Sequence, residues 1–151
     1  WEEAKASIDE AEGAPRRDDA RRAWGPANIA LIISRREFLP GESGEWVETK
    51  RRELESIFVR AAHAYANICL SAHQSELAVP ITEEAIQKEP FRETSYQNLM
   101  KAHAARGNRA EGLPVYHRCR ELLREELGVS PSPETEAVYV ALLKNKGASS
   151  P

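Results

Sequence analysis

ELAVPIT at residues 76–82 and AEGLPVY at residues 110–116 pose the same problem 34 positions apart. Each lies in a stretch whose apolar residues recur at helical period, yet each carries a proline, and the second also carries Gly112. Proline inside a helix removes a hydrogen bond and clashes with the carbonyl four residues back, costing roughly 3 kcal/mol. The surroundings match as well. Ala78-Val79-Pro80-Ile81 aligns with Gly112-Leu113-Pro114-Val115, His73-Gln74 with Gly107-Asn108, Tyr65 with Leu99, and Ala85 with Cys119. A penalty repeated at one offset belongs to a repeat rather than to a catalytic loop.

A 34-residue helix-turn-helix period is the tetratricopeptide spacing. Ala78 and Gly112 supply the small residue where paired helices touch, and Ala66 and Met100 stand at a second such place. Tyr96 is the early aromatic of a first helix, Tyr116 fills a large apolar slot of a second, and Pro90 closes a repeat. Asn108 is placed as an N-cap with Glu111 as its capping-box partner. Pro80 and Pro114, each near the sixth helical position, should tilt their helices at the start. Two repeats are fewer than the three usually needed, so flanking helices must supply the remaining burial.

Outward from these segments nearly everything reads as helix. The periodicity predicts helices over 2–12, 16–37 with an interruption at Gly25–Pro26, 45–72, 75–88, 92–106, 109–127 and 134–146. GAP (13–15), FLPGESG (38–44) and GVSPSP (128–133) are the breaks. The 45–72 stripe is Trp46, Leu54, Ile57, Phe58, Ala61, Tyr65, Ile68, Cys69 and Ala72. The last helix should turn Ala137, Val138, Ala141 and Leu142 inward. The expected architecture is all-α: antiparallel helix pairs in a tetratricopeptide-like, right-handed array of about seven helices. Residues 1–146 are expected to form a single domain, with 147–151 a disordered tail.

Charged residues make up 30% and hydrophobic residues 41%, an ordinary globular composition. No apolar run approaches the roughly 18–20 residues that cross a bilayer. The chain shows no secretory leader and opens on Trp1, which suggests an excised piece of something longer. Two cysteines, Cys69 and Cys119, fit a reducing, cytoplasmic setting. Net charge is −3, divided unevenly: −4 over 1–13, +3 over 14–52 and −2 over 53–151. The basic middle holds Arg16–Arg17, Arg21–Arg22, Arg35–Arg36 and Lys50–Arg51–Arg52. Interleaved acids, and no alternating aromatics, read as a solvated face rather than a nucleic-acid stripe.

The run from 89 to 135 carries a denser signature. It holds Pro90, Arg92 and Glu93; Leu99 and Met100; Gly107; Tyr116 and Arg120; Glu125-Glu126-Leu127-Gly128; and Pro131-Ser132-Pro133. With FLPGESGEWV before it, this resembles the bacterial transcriptional activator domain of the Streptomyces antibiotic regulatory protein family. The resemblance implies a helical, tetratricopeptide-like module of a transcription regulator. It implies a winged-helix DNA-binding domain as neighbour in the full-length protein, and a role in dimerisation and activation. This stretch contains no winged-helix segment, so direct nucleic-acid contact is not expected from it.

Candidate sites follow from the repeat. Polar residues on the first helix of each pair should line a groove: Arg60, His63, Asn67 and Ser71, then Thr94, Gln97, Asn98 and Lys101. Asn67 and Asn98 stand where amides could hold a peptide carboxylate. Arg92, Glu93 and Arg120 are candidate domain-docking residues, with helix-end ion pairing as the plainer reading. His63, His73, His103, His117, Cys69 and Cys119 are the soft ligands, but no tight pair such as C-x-x-C exists, so no metal is expected. No nucleophile–base order or phosphate loop stands out, so neither enzyme nor cofactor is expected. Two functions therefore compete: the oligomerisation and contact module of a regulator, and a free-standing peptide-binding adaptor using the concave groove.

Overall fold

The computed structural model describes residues 2–13 and 20–144, and the side chains of all of these but 11–13 and 20–23. Among them are seven α-helices and no strand: α1 (Glu2–Gly13), α2 (Ala20–Ser34), α3 (Glu45–Ser71), α4 (Ser75–Lys88), α5 (Glu93–Ala105), α6 (Arg109–Leu122) and α7 (Pro133–Lys144). The helices pack in sequence as antiparallel pairs, with α1, α3, α5 and α7 also touching one another in order. Ala14 and Pro15 of the GAP break, the pair Arg16–Arg17, the side chains of Arg21–Arg22 and the expected tail fall outside what is described.

The repeat is visible in the backbone hydrogen bonds. At the end of α3, the Gln74 amide donates to Cys69 O (2.8 Å) and the His73 amide to Leu70 O (3.3 Å). At the end of α5, the Asn108 amide donates to His103 O (2.8 Å) and the Gly107 amide to Ala104 O (3.0 Å). This is one Schellman-type stop used twice. It needs a left-handed residue, which is His73 (φ 57°) in one copy and Gly107 (φ 68°) in the other.

Each second helix carries its proline in the second turn: Pro26 in α2, Pro80 in α4 and Pro114 in α6. None breaks its helix. The interruption expected at Gly25–Pro26 is absent, and α2 runs through it. Pro114 and Pro80 are exposed, so the carbonyls their missing N–H groups leave behind lie on the solvated side.

Two apolar clusters form the core. Ile8, Ala27, Leu31, Phe58, Ala62 and Ala85 anchor the one across α1–α4. Tyr96, Leu99, Met100, Tyr116, Cys119 and Leu142 anchor the one across α4–α7. Ala66, Cys69, Ala78 and Ala102 join them where helices cross closely. Gly112 stands at a close crossing: a Cβ there would sit 2.8 Å from Leu142 Cδ2 and 3.4 Å from His103 Cβ.

Several local expectations are corrected. Asn108 makes no side-chain cap bond; Glu111 instead approaches the buried His103, with Oε2 3.5 Å from Nδ1. Trp46 is 61% exposed, and Val47 takes the buried place beside it. Trp46 packs edge-on against Phe38 at 5.5 Å. Ala72 stands exposed at the end of α3. Ala137 and Ala141 face outward, while Thr135 and Leu142 are buried. α7 is thus rotated from its expected setting, and the cause lies in the polar contacts of Thr135.

Candidate protein interaction surface

The polar residues expected along the groove reach across to neighbouring helices. Arg60 Nη2 of α3 donates to Asp9 Oδ1 of α1 at 2.7 Å. His63 Nε2 of α3 lies 2.7 Å from Ser95 Oγ of α5. Gln97 Nε2 of α5 donates to Thr135 Oγ1 of α7 at 2.9 Å. Each successive pair of first helices is therefore joined by at least one polar bond. Asn67, Ser71, Thr94 and Lys101 are exposed, whereas Asn98 is buried at 2% exposure. Among the described residues Asn98 Nδ2 has no hydrogen-bond acceptor. The two asparagines thus occupy unlike environments.

The second helices carry a parallel row. Arg35, just past the end of α2, grips Glu84 of α4 at 2.7 Å, and Arg118 of α6 reaches Glu83 of α4 at 3.0 Å. Both pairs are largely exposed, so their direct stabilisation is small, roughly 0–1 kcal/mol each. Between α2, α3 and α4 lies an open cleft of about 280 Å³, its wall including Ile32, Tyr65, Leu77, Pro80 and the Arg35–Glu84 pair. That is slightly below the range of small-molecule sites.

Of the docking candidates, Arg92 pairs with Glu89, its Nε 2.8 Å from Oε2. Arg120 is exposed, and the ion pair near it is Arg124–Glu125, at 3.7 Å. Glu93 turns inward. Its Oε1 accepts the Ser132 amide (2.8 Å) and the Thr135 hydroxyl (2.7 Å). One carboxylate thereby fixes both the Pro131-Ser132-Pro133 bend and the entry of α7. Tyr116 completes the joint by donating its hydroxyl to Glu136 and stacking on Tyr139 at 3.8 Å.

Titration follows burial. Burial, with Glu93 nearby, pushes the Cys119 thiol up to about 11. Burial also raises Cys69, against a hydrogen bond with Tyr65. Both are neutral thiols at ordinary pH and poor nucleophiles. Burial and the bond to Glu136 push the Tyr116 phenol up to about 12. Burial lowers the His103 imidazole, although Glu111 pulls the other way. Among the described residues no three His, Cys, Asp or Glu side chains converge as a metal site. No described helix is long and apolar enough to cross a membrane.

The Glu93, Arg51 and inter-helix bonds were missed in the sequence. The repeat held a signal for two of them, since His63–Ser95 and Glu83–Arg118 lie 32 and 35 residues apart, close to the 34-residue period. Arg51 had none. It donates to the carbonyls of Phe38 (3.2 Å), Leu39 (3.0 Å) and Glu42 (3.0 Å), and so pins the 38–44 loop along α3.

Comparison with known proteins matches the family model described as "Bacterial transcriptional activator domain" over residues 2–143. Regulatory protein AfsR of Streptomyces griseus is 30% identical over 135 residues, covering 89% of this chain and 14% of that protein. Transcriptional regulatory protein MoaR1 of Mycobacterium tuberculosis is 28% identical over 79 residues, covering 52% of this chain and 25% of that protein. The chain thus spans a quarter or less of these relatives. The helical pairs, the Glu93-anchored bend before α7 and this match lead to one conclusion: the chain belongs to the bacterial transcriptional activator domain family.

Proposed function

We propose that this chain is the helical interaction and oligomerisation module of a bacterial transcriptional regulator, working as a single domain over residues 1–146. It acts through protein–protein contacts, without catalysis, and does not itself bind DNA. The observation that carries this reading is the family match over residues 2–143, set against regulators of which the aligned part is 14–25%. Base reading falls to another domain, a winged-helix one in the resembling family. The module links that domain to a second copy or to the transcription machinery, in the cytoplasm. The bonds between successive helices support a scaffold role, because they hold the array's shape against a partner. Arg92 and Arg120, both exposed, are the docking side chains this reading uses.

Anisotropy titration of the purified chain against labelled promoter fragments tests it. Weak binding that disappears with salt is expected, as for any incidental charge contact; salt-resistant, sequence-specific binding overturns the reading. An immunoblot of the native gene product should show a mass far above 16.9 kDa. A second reading, a free-standing peptide adaptor, draws on the exposure of Asn67 and Lys101. Under it, Asn67→Ala abolishes peptide capture while self-association is unchanged.

A further inference from the structure

The loop 38–44 and the first turn of α3 present apolar side chains to solvent. Trp46 is the most exposed large apolar side chain among the described residues, and Leu39 is 43% exposed. The Trp46 and Phe38 rings meet at 64°, a contact that leaves most of the indole uncovered. Leu39 also takes a left-handed φ of 48°, where a Cβ is strained. Unlike His73, it ends no helix. It is the first residue of a turn closed by the Glu42 amide on Leu39 O (3.1 Å), and that turn asks for a left-handed residue only at Gly41 (φ 82°). Arg51 holds this costly arrangement by donating to the carbonyls of Phe38, Leu39 and Glu42. Strain and apolar exposure kept together on a braced loop mark a contact surface.

The charges of the segment say what covers it. Residues 37–48 hold Glu37, Glu42, Glu45 and Glu48, all exposed, and no Lys or Arg. Glu48 pairs with Arg51. Glu37, Glu42 and Glu45 have no ion pair among the described residues. Of the bases beside the segment, Arg35 is held by Glu84 and Arg51 by Glu48 and the loop carbonyls. Arg36 and Arg52 are exposed outside its two ends and leave the carboxylates in excess. Such a surface repels the phosphates of nucleic acid and of anionic lipid. An open indole beside free carboxylates suits a guanidinium, which stacks on the ring face and hydrogen-bonds in its own plane.

We propose that the Leu39–Trp46 patch docks an arginine-bearing segment of a partner protein. One guanidinium lies on the Trp46 ring and pairs with Glu42 or Glu45, while an apolar neighbour covers Leu39. This rests on the reading of the chain as a module that acts through protein contacts, and it gives the chemistry of one partner. A tryptophan anchor facing an arginine is a pairing in which interfaces concentrate their binding energy.

Titrating the isotope-labelled chain with a blocked leucine–arginine–arginine–leucine peptide, followed by NMR, tests the docking. Saturable shifts are expected at the Trp46 indole and at the Leu39, Glu42 and Glu45 amides, weaker at high salt. Trp46→Ala, and Glu42→Gln combined with Glu45→Gln, should each weaken binding about fivefold or more. All three positions are exposed, so these variants keep the fold. The same peptide with citrulline in place of arginine keeps the shape without the charge and should bind about tenfold more weakly. Absent shifts overturn the proposal, as do shifts confined to other residues, equal binding of the citrulline peptide, or variants that bind like the original chain. Trp46-dependent binding to phosphatidylcholine vesicles without a peptide response assigns the patch to a membrane and overturns it too. Each of these results leaves the regulator reading standing, since that reading is tested by DNA titration and native mass.

Discussion

Glu93 and Thr135 lie 42 residues apart in the chain, yet the Thr135 hydroxyl donates to the Glu93 carboxylate at 2.7 Å. The same oxygen holds the Ser132 amide, and Gln97 donates to the same hydroxyl. This joint sets the rotation of α7, and so decides which of its residues face solvent.

Glu93→Ala should therefore lower stability by about 1.5–3 kcal/mol, the scale of hydrogen bonds to a charged acceptor. Urea unfolding checks it. Hydrogen exchange should rise first at the Ser132 and Thr135 amides, and Glu93→Gln should recover part of the loss.

His73 occupies the left-handed position that Gly107 fills one repeat later. A residue with a Cβ is strained there, so His73→Gly should stabilise the chain by about 0.5–1 kcal/mol. A rise in the urea midpoint at constant slope is the expected readout.

Gly112→Ala sets two effects against each other. Helix propensity favours alanine by about 1 kcal/mol. The new methyl would sit 2.8 Å from Leu142 Cδ2, and overpacking costs about 1–3 kcal/mol. A net loss near 1 kcal/mol is expected. Combining it with Leu142→Ala should cost less than the sum of the two, because the clash and the cavity occupy the same space.

The chain should lose stability at both ends of the pH range. The His103 imidazole is lowered by burial below its ordinary 6.5, so the unfolded chain takes up the proton first. Stability present above pH 6.5 is then lost on acidification, and His103→Gln should flatten that slope. The Cys119 and Tyr116 values of about 11 and about 12 act in the opposite sense. The unfolded chain releases these protons from pH 9 and pH 10 upward, so stability falls across roughly pH 9–12. Tyr116→Phe should remove the upper part of that fall. Thermal unfolding across the range measures all three.

The fold was legible because its signals are local or periodic. Helical spacing, a 34-residue repeat, glycine and proline stops and a family-like run after Pro90 all lie along the chain. Asn108 and Glu111 have capping-box spacing, yet the buried His103 competes for Glu111. Trp46 fits the helical stripe, but α3 begins beside a loop, where Trp46 packs on Phe38 rather than in the core. Ala137 and Ala141 fit an inward face as well as Leu142 does, because a short helix rich in alanine and valine has no single apolar side.

The sequence by itself thus determined which stretches are helical and that they pair in a repeat. Those outcomes follow from backbone propensity and periodic burial, which act within a few residues or at one fixed offset. Only the tertiary structure decided the rotation of α7 and the partners of Arg60, His63, Glu93 and Gln97. Those depend on which polar groups meet across helices 32 to 51 residues apart, and the directional geometry of a hydrogen bond is satisfied only once the helices have packed.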